Sequence, residues 1–314
     1  MPSNERITER QNRSGRNSPG QPKPCACTGV RWCARCRDPA VRRLHRMDDP
    51  VPMPTLLVTR PHFEGDNDPR SDSIHIFDPE TQSVPTCPDF IGVRLYTEFL
   101  SSSDEERLLE EIEETPLTPS QSGKGKQHYG AKVNFNKKRM NPASFHGIPA
   151  YAHALEARLR ARILEDDFQT LEARRLLESA LARFETTDVF VLRYQTEESS
   201  NLDFHLDDAF AYGEMILDVS LESDSVLTFL RGRPNSEISG MDQVFEAPVC
   251  VRVPLPARSI AVLYGPARNE WEHAILGYDI EARRTSITLR TISESLRATD
   301  EGQEVMRRAR GGKS

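Results

Sequence analysis

Short runs of β-branched, aliphatic and aromatic residues recur through the second half of the chain, and polar or glycine-containing stretches separate them. Runs of about four to eight such residues are typical of β-strands. They predict strands over residues 189–194, 215–221, 226–230, 249–253, 260–264 and 285–291. Residues 231–247 are polar and predict a long loop between two of these strands.

Helical spacing replaces this pattern earlier in the chain. Ser101 is followed by acidic residues and then by Leu108 and Leu109, which predicts a capped helix ending near residue 114. Residues 149–181 predict a second helical region with a break near Asp166, and residues 90–96 predict a strand before both helical regions. Helices followed by short strands favour an α+β fold with a double-stranded β-helix (jelly-roll) core and supporting helices.

The flanking segments have a different composition. Residues 1–24 are rich in Arg, Ser, Asn and Pro and predict a disordered basic arm. Prolines recur over residues 48–83, which we interpret as a linker that contains one short strand at 55–59. The main folded domain is then expected over residues 84–297, followed by a basic tail over 298–314 that begins as a helix.

Charge is distributed unevenly along the chain. Residues 1–46 contain eleven Lys or Arg and three Asp or Glu, so this part carries +8 while the whole chain carries −7. Such an arm predicts an acidic or nucleic-acid partner, with a solubilising tail as the alternative. No run reaches the roughly 18–20 apolar residues of a membrane span, and the N-terminus lacks the apolar centre of a secretory signal. We therefore expect no membrane partner and an intracellular protein, cytoplasmic or nuclear.

Four cysteines form a compact cluster over residues 25–47. Thiols stay reduced inside cells, and four thiolates suit tetrahedral Zn²⁺. The cluster therefore predicts a structural zinc site, with a flexible group of reduced thiols as the alternative. Its members are Cys25, Cys27, Cys33 and Cys36. Cys87 and Cys250 have no such neighbours and are expected to be buried.

Candidate metal chemistry centres on a His-x-Asp motif, His205 and Asp207. Residues i and i+2 of an extended strand point the same way, so both side chains can reach one metal ion. His273, in the strand-rich region downstream, is the candidate third ligand. Two histidines and one carboxylate leave open positions, as non-haem Fe(II) oxygenases require. Each piece alone also occurs by chance, and a lone histidine such as His273 is more often a structural residue than a metal ligand.

Two arginines strengthen this hypothesis. Arg284 and Arg290 are six residues apart in a predicted strand and therefore share a face. A guanidinium group binds a carboxylate through two parallel hydrogen bonds. One arginine would hold the distal carboxylate of 2-oxoglutarate, and the other would support the end nearer the metal. The alternative is an exposed basic strand edge.

The combination of His-x-Asp, a distal His and Arg-x5-Arg resembles the AlkB-type dioxygenases, over roughly residues 25–297. Further runs resemble one animal subgroup of that family. They are the cysteine cluster, Ser120-Gln-Ser-Gly-Lys, Tyr129-Gly-Ala-Lys-Val-Asn-Phe135, His205-Leu-Asp-Asp-Ala209, Leu255-Pro-Ala-Arg-Ser259, Trp271-Glu-His-Ala-Ile275 and Ile280-Glu-Ala-Arg-Arg284.

The resemblance implies an Fe(II)- and 2-oxoglutarate-dependent enzyme and assigns roles to single residues. Arg284 would bind the C5 carboxylate of 2-oxoglutarate, and Arg290 would lie near the C1 end and Asp207. Many family members have Asn-x-Tyr before the first ligand strand, where this chain has Leu192 and Tyr194. Tyr194 matches, while Leu192 removes one expected hydrogen bond to the cosubstrate.

The resemblance also implies a substrate lid over residues 116–140. This segment contains six Lys or Arg and no acid. Tyr129, Lys132 and Phe135 are its candidate substrate contacts, because a basic, aromatic segment grips nucleic acid or an acidic protein surface. A solvated charged loop is the alternative.

The implied reaction is oxidative N-demethylation of a macromolecule. Two substrates fit the subgroup, namely methyl-lysine on a protein such as actin and N6-methyladenine in DNA. The basic arm and lid favour nucleic acid slightly. The alternatives are a non-catalytic scaffold that keeps the barrel and a zinc-stabilised arm, and a jelly-roll metal protein that does not use 2-oxoglutarate.

Overall fold

A computed structural model of the protein describes residues 74–119, 124–135, 137–168, 170–195, 200–231 and 249–311. The basic arm, the cysteine cluster, the predicted strand at 55–59 and nearly all of the long polar loop lie outside these described residues. Within them, no helix is both long enough and apolar enough to cross a bilayer.

Eight consecutive strands form the centre of the fold. They are β7 (Asp188–Tyr194), β8 (Leu202–His205), β9 (Tyr212–Leu221), β10 (Ser225–Arg231), β11 (Val249–Leu255), β12 (Ile260–Tyr264), β13 (Glu272–Ile275) and β14 (Arg284–Ile292). Their antiparallel pairing is nested, since β7 pairs with β14, β8 with β13, β9 with β12 and β10 with β11. The first strand therefore lies beside the last.

These strands are divided between two sheets. Four earlier strands join them, β1 (Ile74–Ile76), β2 (Val93–Tyr96), β3 (Thr118–Pro119) and β4 (Gly125–Tyr129). The larger sheet has the order β2-β12-β9-β14-β7-β4-β3, and the smaller has the order β1-β11-β10-β13-β8. A separate hairpin consists of β5 (Lys132–Asn134) and β6 (Arg139–Asn141).

Three helices, α1 (Ser102–Glu113), α2 (Ala150–Leu164) and α3 (Leu171–Ala182), pack on one face of the larger sheet. The later helices are α4 (Gly265–Asn269), α5 (Glu294–Arg297) and α6 (Asp300–Ala309), of which α5 and α6 pack with β6 in a separate apolar cluster. Ser101 and Asp104 form the predicted capping box of α1. Leu108 and Ile112 of α1 pack against Leu159 of α2 and the sheet in one buried apolar cluster.

A second apolar cluster lies between the two sheets. Leu192 and Ile216 of the larger sheet pack there with Phe229, Val251 and Ile275 of the smaller one. Alternation along β7 separates the clusters, because Val189 and Val191 face the helices while Leu192 and Tyr194 face inwards. The protein is thus a mixed α+β structure with two stacked sheets.

The predicted elements correspond closely to the observed ones, apart from a strand that begins at Val93 rather than at residue 90. The helical region at 149–181 is broken as expected, and Asp166 at the break accepts hydrogen bonds from Arg94 and Tyr96. The sequence did not predict β1, which pairs in parallel with β11 from within the segment interpreted as a linker. It also did not predict β4 or β13, which are five and four residues long.

Candidate active site

The three predicted metal ligands meet at the ends of two neighbouring strands. His205 of β8 is directly opposite His273 of β13, and their ring centroids are 4.4 Å apart. Asp207 lies just beyond β8 and places Oδ2 3.5 Å from Nε2 of His273. One ligand atom from each residue lies within 4.8 Å of the other two. This spacing suits a single metal ion.

Asp207 reaches this cluster in a different way from the one predicted. We expected one strand to present His205 and Asp207 on the same face, but β8 ends at His205. The loop after β8 carries Asp207 instead, and Arg268 of α4 donates a 2.8 Å hydrogen bond to its backbone oxygen. Arg268 is almost fully buried and also donates to the backbone oxygens of Tyr212 and Gly213. Sequence reasoning missed Arg268, whose only signal was its position between two apolar runs.

Burial and nearby charges set the protonation of the ligands. Burial, and secondly His205, lowers the pKa of His273 to about 3. Burial alone would raise the pKa of Asp207, but Arg290 and the two histidines hold it well below its usual value. Neutral imidazole and ionised carboxylate are the forms that bind divalent metals. The donor set and its protonation therefore fit ferrous iron.

Arg290 connects Asp207 to a second buried acid. Its Nη1 donates to Oδ1 of Asp207 over 2.6 Å, and its Nη2 lies 2.8 Å from Oδ1 of Asp188. The guanidinium carbon stands 4.0 Å from the centre of the Tyr212 ring. The other oxygen of Asp188 lies 2.6 Å from Nε2 of His128 on β4. A continuous hydrogen-bonded chain therefore runs from β4 to the carboxylate of the metal cluster.

Asp188 and Arg290 keep their charges although they are buried. Burial would raise the pKa of Asp188, but Arg290 and His128 hold it below its usual value. In return, Asp188 and Asp207 raise the pKa of Arg290, against the effect of burial. Gly130 lets the turn after β4 approach closely, because a Cβ there would lie 2.1 Å from Oδ2 of Asp188.

Arg284 lies on the same face of β14, deeper between the sheets. It is completely buried. Its Nε donates to Ser220 Oγ over 3.0 Å, and its Nη2 donates to Asp218 Oδ2 over 3.1 Å. Its Nη1 is buried and has no hydrogen-bond partner among the described residues. A buried donor without a partner is costly, so this N–H fits a ligand acceptor such as a carboxylate.

Tyr194 and Leu192 lie next to Arg284 on β7. Tyr194 is the register partner of Arg284, and its ring centre lies 5.3 Å from the guanidinium carbon. Burial raises the pKa of Tyr194, so its hydroxyl stays neutral and can donate a hydrogen bond. Leu192 presents an apolar side chain to the same space. The structure thus places Leu192 and Tyr194 in the same cavity as Arg284 and Arg290, the other two residues that the resemblance linked to the cosubstrate.

One cavity of about 1760 Å³ contains the metal cluster, Arg284 and Arg290. The hairpin β5–β6 lines part of it, with Lys132 and Phe135 both exposed at the cavity wall. Tyr129, the third predicted substrate contact, does not line the cavity and packs against the helical cluster instead. Strand alternation explains this, because His128 takes the inward-facing position on β4.

Comparisons with known proteins agree with this geometry. No protein-family model matches the chain. It is 31% identical to human alpha-ketoglutarate-dependent dioxygenase alkB homolog 4 over 306 residues, which covers 91% of this chain and 93% of that protein. It is 27% identical to a Caenorhabditis elegans DNA N6-methyl adenine demethylase over 285 residues, which covers 85% and 86% of the two chains.

Solved structures of low identity also match. OsALKBH1 is 14% identical with a TM-score of 0.41, covering 64% of this chain and 96% of that one. A 2OG-Fe(II) oxygenase family oxidoreductase from Burkholderia pseudomallei is 12% identical with a TM-score of 0.39, covering 65% and 85%. The sequence match to alkB homolog 4 spans nearly the whole of both proteins. The chain therefore belongs to the AlkB family of alpha-ketoglutarate-dependent dioxygenases, which are oxidoreductases.

Proposed function

We propose that the protein is an N-demethylase that uses Fe(II) and 2-oxoglutarate to oxidise a methyl group on a macromolecule. One observation carries this proposal. The His205, Asp207 and His273 cluster lies in the same cavity as a buried N–H of Arg284 that has no partner among the described residues. A metal site and a carboxylate site in one cavity are what a keto-acid-dependent oxygenase needs.

The strand order supports a double-stranded β-helix as the architecture of the core. Its nested pairing, with β7 beside β14 and β10 beside β11, is the pattern expected when one long antiparallel ribbon folds over into two sheets. In that arrangement β8 and β13 lie next to each other in the smaller sheet, where they present both histidines to the space between the sheets.

The proposed mechanism assigns each residue a task. Bound iron would supply O2 activation coupled to decarboxylation of 2-oxoglutarate, giving succinate and CO2. His205, Asp207 and His273, which all line the cavity, would hold the metal. Arg284 and Tyr194 orient the cosubstrate through its C5 carboxylate. That chemistry would convert an N-methyl group into formaldehyde and leave the free amine.

The cavity wall favours a nucleic acid as the macromolecule. Lys132, Lys138 and Arg139 line it from the hairpin. Of the four acids in the same lining, Asp207 and Asp218 pair with Arg290 and Arg284, which leaves Asp208 and Glu301 to offset three hairpin cations. Cations attract phosphates, whereas they repel a methylated lysine. The exposed Phe135 ring supplies a surface on which a base can stack. The name of the Caenorhabditis elegans relative, a DNA N6-methyl adenine demethylase, adds support. Methyl-lysine on a protein such as actin is the second candidate.

Product analysis tests the proposal. The full chain, with Fe(II), 2-oxoglutarate and O2, is incubated with an N6-methyladenine oligonucleotide or with a methyl-lysine peptide. We expect equal amounts of succinate and formaldehyde with the oligonucleotide, and neither product in His205→Ala. Formaldehyde from the peptide alone would transfer the proposal to the protein substrate. Absence of succinate under every condition would contradict the demethylase assignment.

Two further proposals concern regions beyond the described residues, and a third concerns the location of the protein in the cell. Zinc binding by the four-cysteine cluster predicts about one zinc per chain by atomic absorption, lost on Cys33→Ser/Cys36→Ser replacement. Binding of the basic arm to an anionic partner predicts salt-sensitive DNA affinity that falls when residues 1–24 are removed. A cytoplasmic or nuclear location is testable by imaging the tagged chain in cells.

A further inference from the structure

A buried acid shares the cavity with Arg284. Asp218 of β9 lines the cavity, with Oδ2 3.1 Å from Arg284 Nη2 and Oδ1 3.2 Å from the Thr288 hydroxyl oxygen. Its side chain is 15% exposed. Sequence reasoning gave Asp218 no role, since it is a single acid within an apolar strand.

The charges around Asp218 do not balance once a dicarboxylate enters. Arg284 from β14 is its only ion-pair partner among the described residues. Tyr194 from β7 is a neutral phenol, and Asp207 after β8 adds a second negative charge. On the β12 side its register partner is Ala261, which carries no charge. Arg284 alone would therefore face two carboxylates, that of Asp218 and the C5 carboxylate of 2-oxoglutarate.

We propose that Asp218 is a positioning residue that binds the cosubstrate as a neutral acid, so that 2-oxoglutarate binding is coupled to the uptake of one proton. The proposal rests on the assignment of Arg284 to the C5 carboxylate. The proton comes from solvent and bonds to one Asp218 oxygen, and the resulting O–H group donates to the incoming carboxylate. Arg284 then neutralises that carboxylate through its free Nη1.

The surroundings of Asp218 favour this neutral form. Burial raises the pKa of Asp218, and the opposing effect of Arg284 is smaller. A second carboxylate beside the first raises the pKa again, because two like charges cannot both remain ionised in a poorly solvated site. The sign follows directly. Between the pKa of Asp218 in the free protein and its higher pKa in the complex, each bound ligand takes up a proton, so affinity falls as the pH rises.

Titration calorimetry tests the coupling without turnover. The full chain is loaded with Mn(II) and titrated anaerobically with 2-oxoglutarate, or with succinate, at several pH values between 6 and 9. Two buffers of different ionisation enthalpy at each pH give the number of protons taken up. At pH values between the pKa of Asp218 in the free protein and that in the complex, we expect uptake of about one proton per ligand. The dissociation constant should rise there about tenfold per pH unit.

Asp218→Asn isolates the acid. Its amide N–H can replace the O–H donor but cannot titrate, so we expect binding with no proton uptake and a flat pH profile. Ser220→Ala is the matched control, because it removes the partner of Arg284 Nε and leaves Asp218 unchanged. It should weaken binding several-fold and keep the pH slope.

The possible outcomes separate this inference from the proposed function. Binding by the wild-type protein without proton uptake would overturn the inference, whatever the stability of the variants. The same pH slope in the wild type and in a folded Asp218→Asn would overturn it as well. No binding of 2-oxoglutarate or succinate at any pH would instead contradict the proposed cosubstrate site.

Discussion

Arg284 and Arg290 lie six residues apart on β14 and face the same cavity, but their surroundings differ. Arg290 contacts two ionised acids, Asp188 and Asp207, and stacks on Tyr212. Arg284 contacts one acid and one hydroxyl group and keeps a buried N–H without a partner among the described residues. One guanidinium group is saturated by the protein, and the other has capacity left.

This difference indicates different tasks for two residues of the same type. A cation saturated by fixed carboxylates stabilises and orients them, so Arg290 acts on the metal end through Asp207. A cation with an unused donor binds something that enters from outside, so Arg284 acts on the cosubstrate. Side-chain type and strand spacing are the same for both, and only the acids on neighbouring strands distinguish them.

The largest effect is expected from the loss of a metal ligand. His205→Ala removes one of three ligands and should abolish succinate formation. The loss should exceed the roughly 10- to 100-fold change typical when a residue beyond the ligands is replaced. Metal affinity measured with Mn(II) should fall in parallel. His75→Ala is a matched control, because that histidine bonds Thr86 and does not line the cavity. If His205→Ala kept its turnover, His205 would not be a required metal ligand, and the assignment of Arg290 to the metal end of the cavity would fail.

Neutral replacement of each arginine tests the comparison directly. Arg284→Gln loses a charge-assisted hydrogen bond to the cosubstrate, worth about 1.5–3 kcal/mol. The dissociation constant of 2-oxoglutarate should rise about 10- to 100-fold, with Mn(II) affinity kept. Arg290→Gln leaves Asp188 and Asp207 buried without their cation. It should destabilise the fold by about 3–5 kcal/mol and weaken metal binding.

Three measurements separate the two arginine variants, namely denaturant unfolding, Mn(II) titration and 2-oxoglutarate titration of the metal-loaded protein. If both variants lost cosubstrate affinity equally while keeping metal affinity and stability, the division of tasks between the arginines would be wrong.

A smaller effect is expected at the outer end of the Arg290 chain. His128→Ala removes a 2.6 Å contact with Asp188, so Asp188 holds Arg290 less firmly and Asp207 is less well oriented. Mn(II) affinity should fall by a few-fold, below the roughly 10- to 100-fold range for a direct partner of a ligand. Tyr129→Phe is the control, because this neighbour faces the helices. An equal loss in both variants would assign the effect to β4 as a whole.

Much of this site could be predicted from sequence because its residues follow regular spacing. The two arginines share a strand face, and the three ligands, two histidines and one aspartate, follow one another in a recognisable order. The residues that were missed have no spacing of their own. Asp188, Asp218 and Arg268 are single polar residues beside or within apolar runs, and they gain their roles from strands far away in sequence.

The two side chains whose placement differs from the prediction, those of Tyr129 and Asp207, have a related physical cause. The choice between His128 and Tyr129 depends on the register of β4 with β7, which pairs His128 with Phe190. A shift of one residue would exchange their faces. The position of Asp207 likewise depends on where β8 ends, and element ends are set by tertiary hydrogen bonds such as those of Arg268.

The smallest effect is expected at Leu192, where many relatives of this family carry an asparagine. Leu192 is 8% exposed and faces the space beside Arg284 and Tyr194. Leu192→Asn would add one donor for the cosubstrate but would also place an amide among apolar neighbours such as Ile216 and Leu227. These effects oppose each other, since a hydrogen bond is worth about 0.5–1.5 kcal/mol and burying an unpaired amide costs about 1–3 kcal/mol. We therefore expect lower stability without ligand and about threefold tighter 2-oxoglutarate binding.

Leu192→Ala is the control, because it removes apolar packing without adding a donor. Tighter 2-oxoglutarate binding in both variants would show that the space beside Arg284, rather than a missing hydrogen-bond donor, limits the affinity for the cosubstrate.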